Sequence, residues 1–188
     1  MIFSIMAKTS SFDQLKKGAK APDFSLRGAD GKTHSRTDFS GKEGMFVLFM
    51  CDHCPYVKAR IEEVVALHKE FGDRISFVGI NSNDPEYPGE GMDLMKEFAK
   101  ERGMEFPYLL DADGSAARSY GATCTPDPFL FDKDMKLVFH GKLVDALEPQ
   151  EPVRVRTMQQ NMQKLVHGEL VEPWFDPSLG CSIKFKSM

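Results

Sequence analysis

Two kinds of apolar pattern alternate along the chain. Met45-Phe46-Val47-Leu48-Phe49-Met50 is an unbroken apolar run of strand length, the pattern of a central strand covered on both faces. Arg74-Ile75-Ser76-Phe77-Val78-Gly79-Ile80 predicts a second such strand. Between the two, Val57, Ile61, Val64, Val65 and His68 recur at helical spacing, and Phe71-Gly72 supplies the stop. Strand, helix and strand in that order form a βαβ unit, which implies parallel pairing through a right-handed crossover.

The flanking segments extend this unit. Residues 1–18 are polar and read as loosely held, with a short helix over Phe12 to Lys17. Ala21 to Leu26, the turn Asp30-Gly31-Lys32 and Thr33 to Ser35 predict a hairpin-like lead-in, and Asp38 to Lys42 a connection. After the second strand, Asn81 to Gly91 is rich in turn residues and leaves the sheet at the same end as Cys51. It is either a solvated connection or the rim of a site. Met92, Met95, Phe98 and Ala99 mark a helix closed near Gly103, Phe106 to Leu110 a short strand, and Ser115 to Tyr120 a short helix ended by Gly121. Asp111-Ala112-Asp113-Gly114 is a turn that lacks the further oxygens a calcium loop needs. Phe129 to Phe131 and Lys136 to His140 flank Lys133-Asp134-Met135 as an antiparallel hairpin. Pro152 opens the last helix, with Val155, Met158, Met162, Leu165 and Val166 as its apolar face and Gly168 beyond its end. The tail 169–188 carries Trp174, Phe175 and Phe185, which predict that it packs back on the body.

Composition narrows the function classes. With 188 residues, 41% of them apolar, the chain is expected to form one domain around one core. A net charge of -4, with 24 basic residues scattered among 28 acidic ones, gives neither a nucleic-acid footprint nor a polybasic membrane patch. No run is long enough to span a bilayer, and Met1 to Lys8 makes a poor signal peptide, so a cytoplasmic protein is expected, as monomer or homodimer. In that compartment four cysteines point to catalysis or metal binding rather than to a structural framework.

Two of those cysteines, in Cys51-Asp52-His53-Cys54-Pro55, stand where the first strand ends and the helix begins. The unpaired N–H groups and the positive dipole end of a first helical turn favour a thiolate over a thiol. Pro55 suits that turn, where its missing N–H would have no partner anyway.

The order strand, Cys-x-x-Cys, helix, strand, and then Thr125-Pro126 before a hairpin resembles a thioredoxin fold. This is an α/β architecture with a central mixed sheet flanked by helices. Phe24 to Phe139 is similar to the redoxin group that includes alkyl hydroperoxide reductase and thiol-specific antioxidant proteins (AhpC/TSA). More closely, Cys51-Asp52-His53-Cys54-Pro55-Tyr56-Val57, Asn81-Ser82-Asn83-Asp84, Thr125-Pro126-Asp127 and Gly180-Cys181-Ser182-Ile183-Lys184-Phe185 resemble peroxiredoxin-like proteins of the thioredoxin family.

That resemblance implies a thiol-disulfide oxidoreductase without a cofactor, in which Cys51 is the nucleophile and Cys54 the resolving thiol. Its partners would be a protein disulfide or peroxide and a thioredoxin- or glutathione-type reductant. His53 either favours the Cys51 thiolate, against the influence of Asp52, or simply lies exposed. Pro126 matches the cis-proline that faces the cysteine pair. Cys124 beside it is a third redox thiol or metal ligand, or else a small buried apolar residue. Cys181 is an accessory resolving thiol or a tail cysteine with no redox partner.

Four positions depart from the family patterns. Met50 and Met45 stand where thioredoxins carry a tryptophan and a buried acid, so proton handling falls to Glu63, Asp111 or a loop acid. Cys54 aligns with the peroxidatic cysteine of peroxiredoxins, but Cys51 occupies the position of their threonine and Pro126 that of their arginine. Only slow, antioxidant peroxide reduction through a Cys54 sulfenic acid is implied. The competing class is a copper- or zinc-binding module built on the same cysteines and His53, which lacks the second ligand pair of a structural zinc site.

Overall fold

The computed structural model describes residues 8–187. In chain order its strands are β1 (Lys8–Ser10), β2 (Ser25–Gly28), β3 (Thr33–Ser35), β4 (Gly44–Phe49), β5 (Ile75–Asn81), β6 (Tyr108–Leu110), β7 (Cys124–Thr125), β8 (Asp127–Asp132), β9 (Leu137–Gly141), β10 (Phe175–Asp176) and β11 (Leu179–Ser182). Its helices are α1 (Pro55–Lys58), α2 (Ile61–Phe71), α3 (Met92–Glu101), α4 (Ser115–Tyr120) and α5 (Thr157–Val166).

β4 is buried along its whole length. It pairs in parallel with β5, Phe46 opposite Phe77, and antiparallel with β8, Phe46 opposite Leu130. The full order β10-β9-β8-β4-β5-β6-β2-β3 makes an eight-stranded mixed sheet. Because side chains alternate across a strand, Phe46 and Leu48 face Ile61, Val64, Met95, Phe98, Met158 and Met162 on one side. Met45, Val47 and Phe49 face Ala117, Tyr120, Phe129 and Phe131 on the other. Both faces are therefore covered, which is why β4 reads as a continuous apolar run. Each such buried side chain contributes about 1.5–3 kcal/mol, so the strand that delivers the cysteines is firmly held. This is the thioredoxin-like α/β architecture expected from the sequence, with the lead-in hairpin β2–β3 docked antiparallel on β6. Among the described residues no helix is long and apolar enough to cross a membrane.

Four local expectations fail for identifiable reasons. The helix after Pro55 is broken at Arg60, whose φ of -125° leaves the helical region. The Arg60 guanidinium there donates to the carbonyls of Ala146 (3.2 Å) and Glu148 (2.8 Å). The last helix starts at Thr157 rather than Pro152, because Asp145 Oδ1 accepts the N–H groups of Arg154 (3.0 Å) and Val155 (2.9 Å) and holds that segment out of the helix. Val155 is consequently exposed and leaves the apolar face. No helix forms over Phe12 to Lys17, where the chain is drawn off at both ends: Ser11 donates to Ser178 O and Gly18 to Leu137 O. Nor is the whole leader loose, since β1 pairs antiparallel with β11, Lys8 opposite Cys181. Residues 1–7 lie outside the described residues.

The tail crosses the molecule twice. β10 adds in parallel to β9, and β11 lies between β1 and β7 in a separate three-stranded sheet. Ile183 enters the core, and the Arg118 guanidinium sits 4.5 Å from the Phe185 ring centroid.

Candidate active site

After β4 the chain leaves the sheet, and Cys54 becomes the N-cap of α1. β7 approaches from the other side with Thr125, whose peptide bond to Pro126 is cis, in keeping with the expectation for that position. Thr125 touches both cysteines of the pair. Its Oγ1 lies 3.2 Å from Cys51 Sγ, and its carbonyl oxygen 3.2 Å from Cys54 Sγ.

The same residue locates the tail. Cys181 of β11 pairs with Thr125, which sets its Sγ 2.9 Å from Cys54 Sγ. The neighbouring Gly180 permits this approach, because a Cβ there would stand 2.0 Å from Thr125 O. Ser178 pins the strand from its other end: its N–H donates to Ser11 Oγ (2.9 Å) and its hydroxyl to Asp127 Oδ1 (3.4 Å). Asp127 is itself bonded to His140 Nε2 at 2.7 Å, beneath a stacked Phe129 ring.

Cys124 does not join this group. Strand alternation turns it away from the side that Thr125 faces. Its Sγ lies 3.7 Å from Pro126 O and 3.7 Å from Ser178 Oγ, and burial pushes its thiol well up. It occupies the site of a small buried apolar residue.

Cys51, Cys54 and Cys181 cluster, and Cys54 shifts the thiols of the other two and is shifted by both. Hydrogen bonds from Cys181 and Cys51, helped by the Val57 N–H, outweigh burial and hold the Cys54 thiol far below its ordinary value. The bond to Cys54 and burial push Cys51 up, and the same two causes push Cys181 up. Charge is thus favoured on the N-cap residue Cys54 over Cys51 and Cys181, whereas the thioredoxin resemblance looks to Cys51 for the thiolate; the 3.2 Å contact with the Thr125 carbonyl is one that the protonated Cys54 thiol makes as donor.

On the opposite side of Cys51 lies a group of carboxyls. The 81–91 segment is a rim rather than a solvated connection, since Asn81, Ser82, Asn83 and Glu90 are all buried. Glu90 accepts from Asn81 Nδ2 (2.6 Å) and Asn83 Nδ2 (3.1 Å) and bonds His53 Nδ1. Burial pushes Glu90 up, but those three partners outweigh it and leave the carboxyl below its ordinary value. His53 is therefore neither free in solvent nor placed by the helix alone, and its ring lies 5.2 Å from that of Tyr87.

Asp52 is only 6% exposed. The Tyr108 hydroxyl donates to its Oδ1 at 2.8 Å, while Oδ2 has no partner. Burial raises its carboxyl to about 7 against the Tyr108 bond, and the nearby Glu90 charge adds to the rise. The other acids offered for proton handling are occupied elsewhere. Asp111 caps α4 through the N–H groups of Ala116 (3.2 Å) and Ala117 (3.0 Å), and Glu63 pairs with Arg156.

The donor set for a metal also differs from the expected cysteines. Cys51 Sγ, a His53 ring nitrogen and a Glu90 carboxylate oxygen lie within 4.8 Å of one another, while Cys54, Cys124 and Cys181 are outside that cluster. Sequence reasoning missed Thr125, Tyr108 and Glu90 as site residues. Thr125 precedes the marked proline, and Glu90 stands between two glycines in the rim, so both carried a local signal. Tyr108 carried none.

Comparison with known proteins bears on the family and the fold. The model of the AhpC/TSA family matches residues 17–140. The crystal structure of an uncharacterized conserved protein from Geobacillus kaustophilus is 37% identical, with a TM-score of 0.91, and the match covers 97% of this chain and 98% of that one. A hypothetical protein from Sinorhizobium meliloti is 33% identical, with a TM-score of 0.90, over 96% of this chain and 100% of that one. The thiol-disulfide oxidoreductase ResA of Bacillus cereus is 27% identical over 132 residues, 69% of this chain and 71% of that protein.

Proposed function

We propose, from the premise that the chain belongs to the AhpC/TSA family, that it is a thiol-disulfide oxidoreductase cycling a Cys51–Cys54 disulfide. The observation that carries this reading is the shared contact of both sulfurs with Thr125, in a buried site. The similarity to ResA supports the same reaction class.

In the reactive form the charge sits on Cys51, whose proton has passed to the neighbouring Cys54, and the Cys54 thiol donates to Thr125 O (3.2 Å). The Cys51 thiolate attacks one sulfur of the substrate disulfide and expels the other as a thiolate, forming a mixed disulfide. Cys54 then loses its proton and attacks Cys51 Sγ. The Cys51–Cys54 bond forms, the mixed disulfide breaks, and the substrate leaves with the electron pair as a dithiol. To Asp52, whose carboxyl burial raises to about 7, we assign the role of accepting and returning the proton of this turn. A thioredoxin- or glutathione-type thiol closes the cycle.

A protein disulfide is the proposed substrate. A small cleft lined by Tyr56, Arg60, Pro126, Lys142, Leu143 and Leu179 adjoins the site at the cis-proline, where an extended chain would pass the sulfurs. Peroxide reduction through Cys54 belongs to this reading only as a slow side activity: among the described residues, Thr125 and Cys181 bond its sulfur, and no guanidinium does. The compartment we propose is the cytoplasm, where the dithiol is the resting form.

The test is dithiothreitol-driven reduction of the interchain disulfides of insulin. Wild type is expected to accelerate it, and Cys51→Ser to return it to background; undiminished turnover by Cys51→Ser contradicts the reading. The Cys51, His53 and Glu90 cluster supports a second reading, a soft-metal site. Stoichiometric zinc binding that Glu90→Gln abolishes, in a chain that shows no reversible thiol oxidation, would favour it instead.

A further inference from the structure

We propose that Cys181 is a third redox residue, which takes over Cys54 and moves the disulfide from Cys51–Cys54 to Cys54–Cys181. The inference rests on the reading of Cys51 and Cys54 as a redox pair. Its basis is positional. Cys181 lies on a strand held on both edges, by β1 and by β7, rather than on a swinging tail. Beyond it, Lys184 N–H donates to Asn83 Oδ1 at 2.7 Å, and Asp84 N–H to Lys184 O at 2.6 Å.

That framework presents Cys181 Sγ at 2.9 Å from Cys54 Sγ. Closing such a pair to a disulfide of about 2.05 Å needs a shift of only about 1 Å. Thiol-disulfide exchange depends on reach and on the thiolate fraction of the attacking group, and here the reach is already supplied. The Lys184 ammonium lowers the cost of charge on Cys181 and burial opposes it, while Cys54, held in the disulfide, no longer carries a competing charge.

The step conserves electrons within the chain. Cys181 gives up its proton and attacks Cys54 Sγ of the Cys51–Cys54 disulfide. The Cys54–Cys181 bond forms, the Cys51–Cys54 bond breaks, and Cys51 leaves as a thiolate that takes one proton. The oxidant is the substrate disulfide that made the first bond, and no further co-reactant is consumed. Its consequence is directional: in the chains that carry the Cys54–Cys181 bond the released substrate thiol no longer meets a disulfide at Cys51, and they stay so until the exchange runs back or the reductant opens that bond. Cys124 is excluded from this relay by its contacts with Ser178 and Pro126.

The experiment oxidises the full chain with glutathione disulfide, quenches with acid, alkylates free thiols and maps linked peptides by mass. Wild type is expected to show a Cys54–Cys181 link with alkylated Cys51 in roughly a tenth or more of the oxidised chains, as for two disulfides within about tenfold in stability. It should appear after the Cys51–Cys54 link. Cys181→Ser should yield Cys51–Cys54 alone. If that variant fails to fold, the wild-type map alone decides. Oxidised wild type in which Cys54 is joined only to Cys51 and Cys181 is fully alkylated overturns the proposal. Absence of any disulfide at Cys51 or Cys54 would instead overturn the redox reading beneath it.

Discussion

The two sides of Cys51 are built from different chemistry and by different means. On one side stand Cys54, Thr125 and Cys181, all buried, brought together by the strand pairing of Cys181 with Thr125 and by a Cys54–Cys181 contact that spans 127 residues. On the other stand Asp52, His53, Glu90 and Tyr108, a set of acids and their hydrogen-bond partners presented by the turn after β4, by the rim and by β6. The sulfur side can exchange a disulfide but has no carboxyl bonded to it. The carboxyl side can accept and return protons but holds no second sulfur. This contrast explains how the site works without the buried acid of thioredoxins: a methionine at position 45 leaves the sheet apolar, and the acids approach from the loop instead.

The comparison can be broken most severely at Glu90. Its carboxylate is the common acceptor for Asn81, Asn83 and His53. Glu90→Ala strands all three donors, and a loss of about 3–5 kcal/mol is expected from removing one partner of a buried charged network. Because the folded carboxyl lies below its ordinary value, this contribution is present above the unfolded pKa of 4.5 and fades as pH falls through the lower folded value. Urea midpoints of variant and wild type at neutral pH measure the effect, and equal midpoints would show that the rim does not depend on Glu90.

Asp52 gives a smaller effect of opposite sign. Its carboxyl rises from 3.8 to about 7 on folding. Between those values the folded chain keeps a proton that the unfolded chain has released, so stability falls as pH rises. Asp52→Asn retains an acceptor for Tyr108 and cannot ionise. It is expected to flatten that fall and to gain on the order of 2–4 kcal/mol at about pH 8. Denaturation from about pH 5 to about pH 8 reads both quantities, and a variant less stable than wild type at the upper end contradicts the assignment.

Cys124 should matter least, despite being adjacent to Thr125. Cys124→Ala is expected to cost about 1 kcal/mol of packing and to leave disulfide exchange within about twofold of wild type. A loss of exchange by tenfold or more would place Cys124 on the sulfur side after all.

Legibility in the sequence followed the range of the interactions. β4 was readable because both its faces are apolar, and the Cys51 to Pro55 turn because strand end, cysteines and N1 proline are local. The lead-in hairpin and the hairpin of β8 and β9 were marked by their own turns. The start of α5 was not readable, because Asp145 diverts Arg154 and Val155 from nine and ten residues away. The leader was misjudged for the same reason at longer range, since β1 is a strand only because β11 lies beside it. Within the site, the spacing of Cys51 and Cys54 announced itself, whereas the His53 and Glu90 contact spans 37 residues and the Cys54 and Cys181 contact 127. The position of the charge was also hidden, because it is decided by which sulfur receives donors from the other two.

Cys54 is the sulfur common to both disulfides, so counting thiols in Cys54→Ser tests the account most directly. Free thiols are counted by alkylation and intact mass after glutathione disulfide and again after dithiothreitol. Wild type is expected to lose two thiols to an internal disulfide and regain both, while Cys54→Ser forms no internal disulfide under the same treatment. An internal disulfide that still forms and reverses in Cys54→Ser, or a wild-type chain that never forms one, would contradict it.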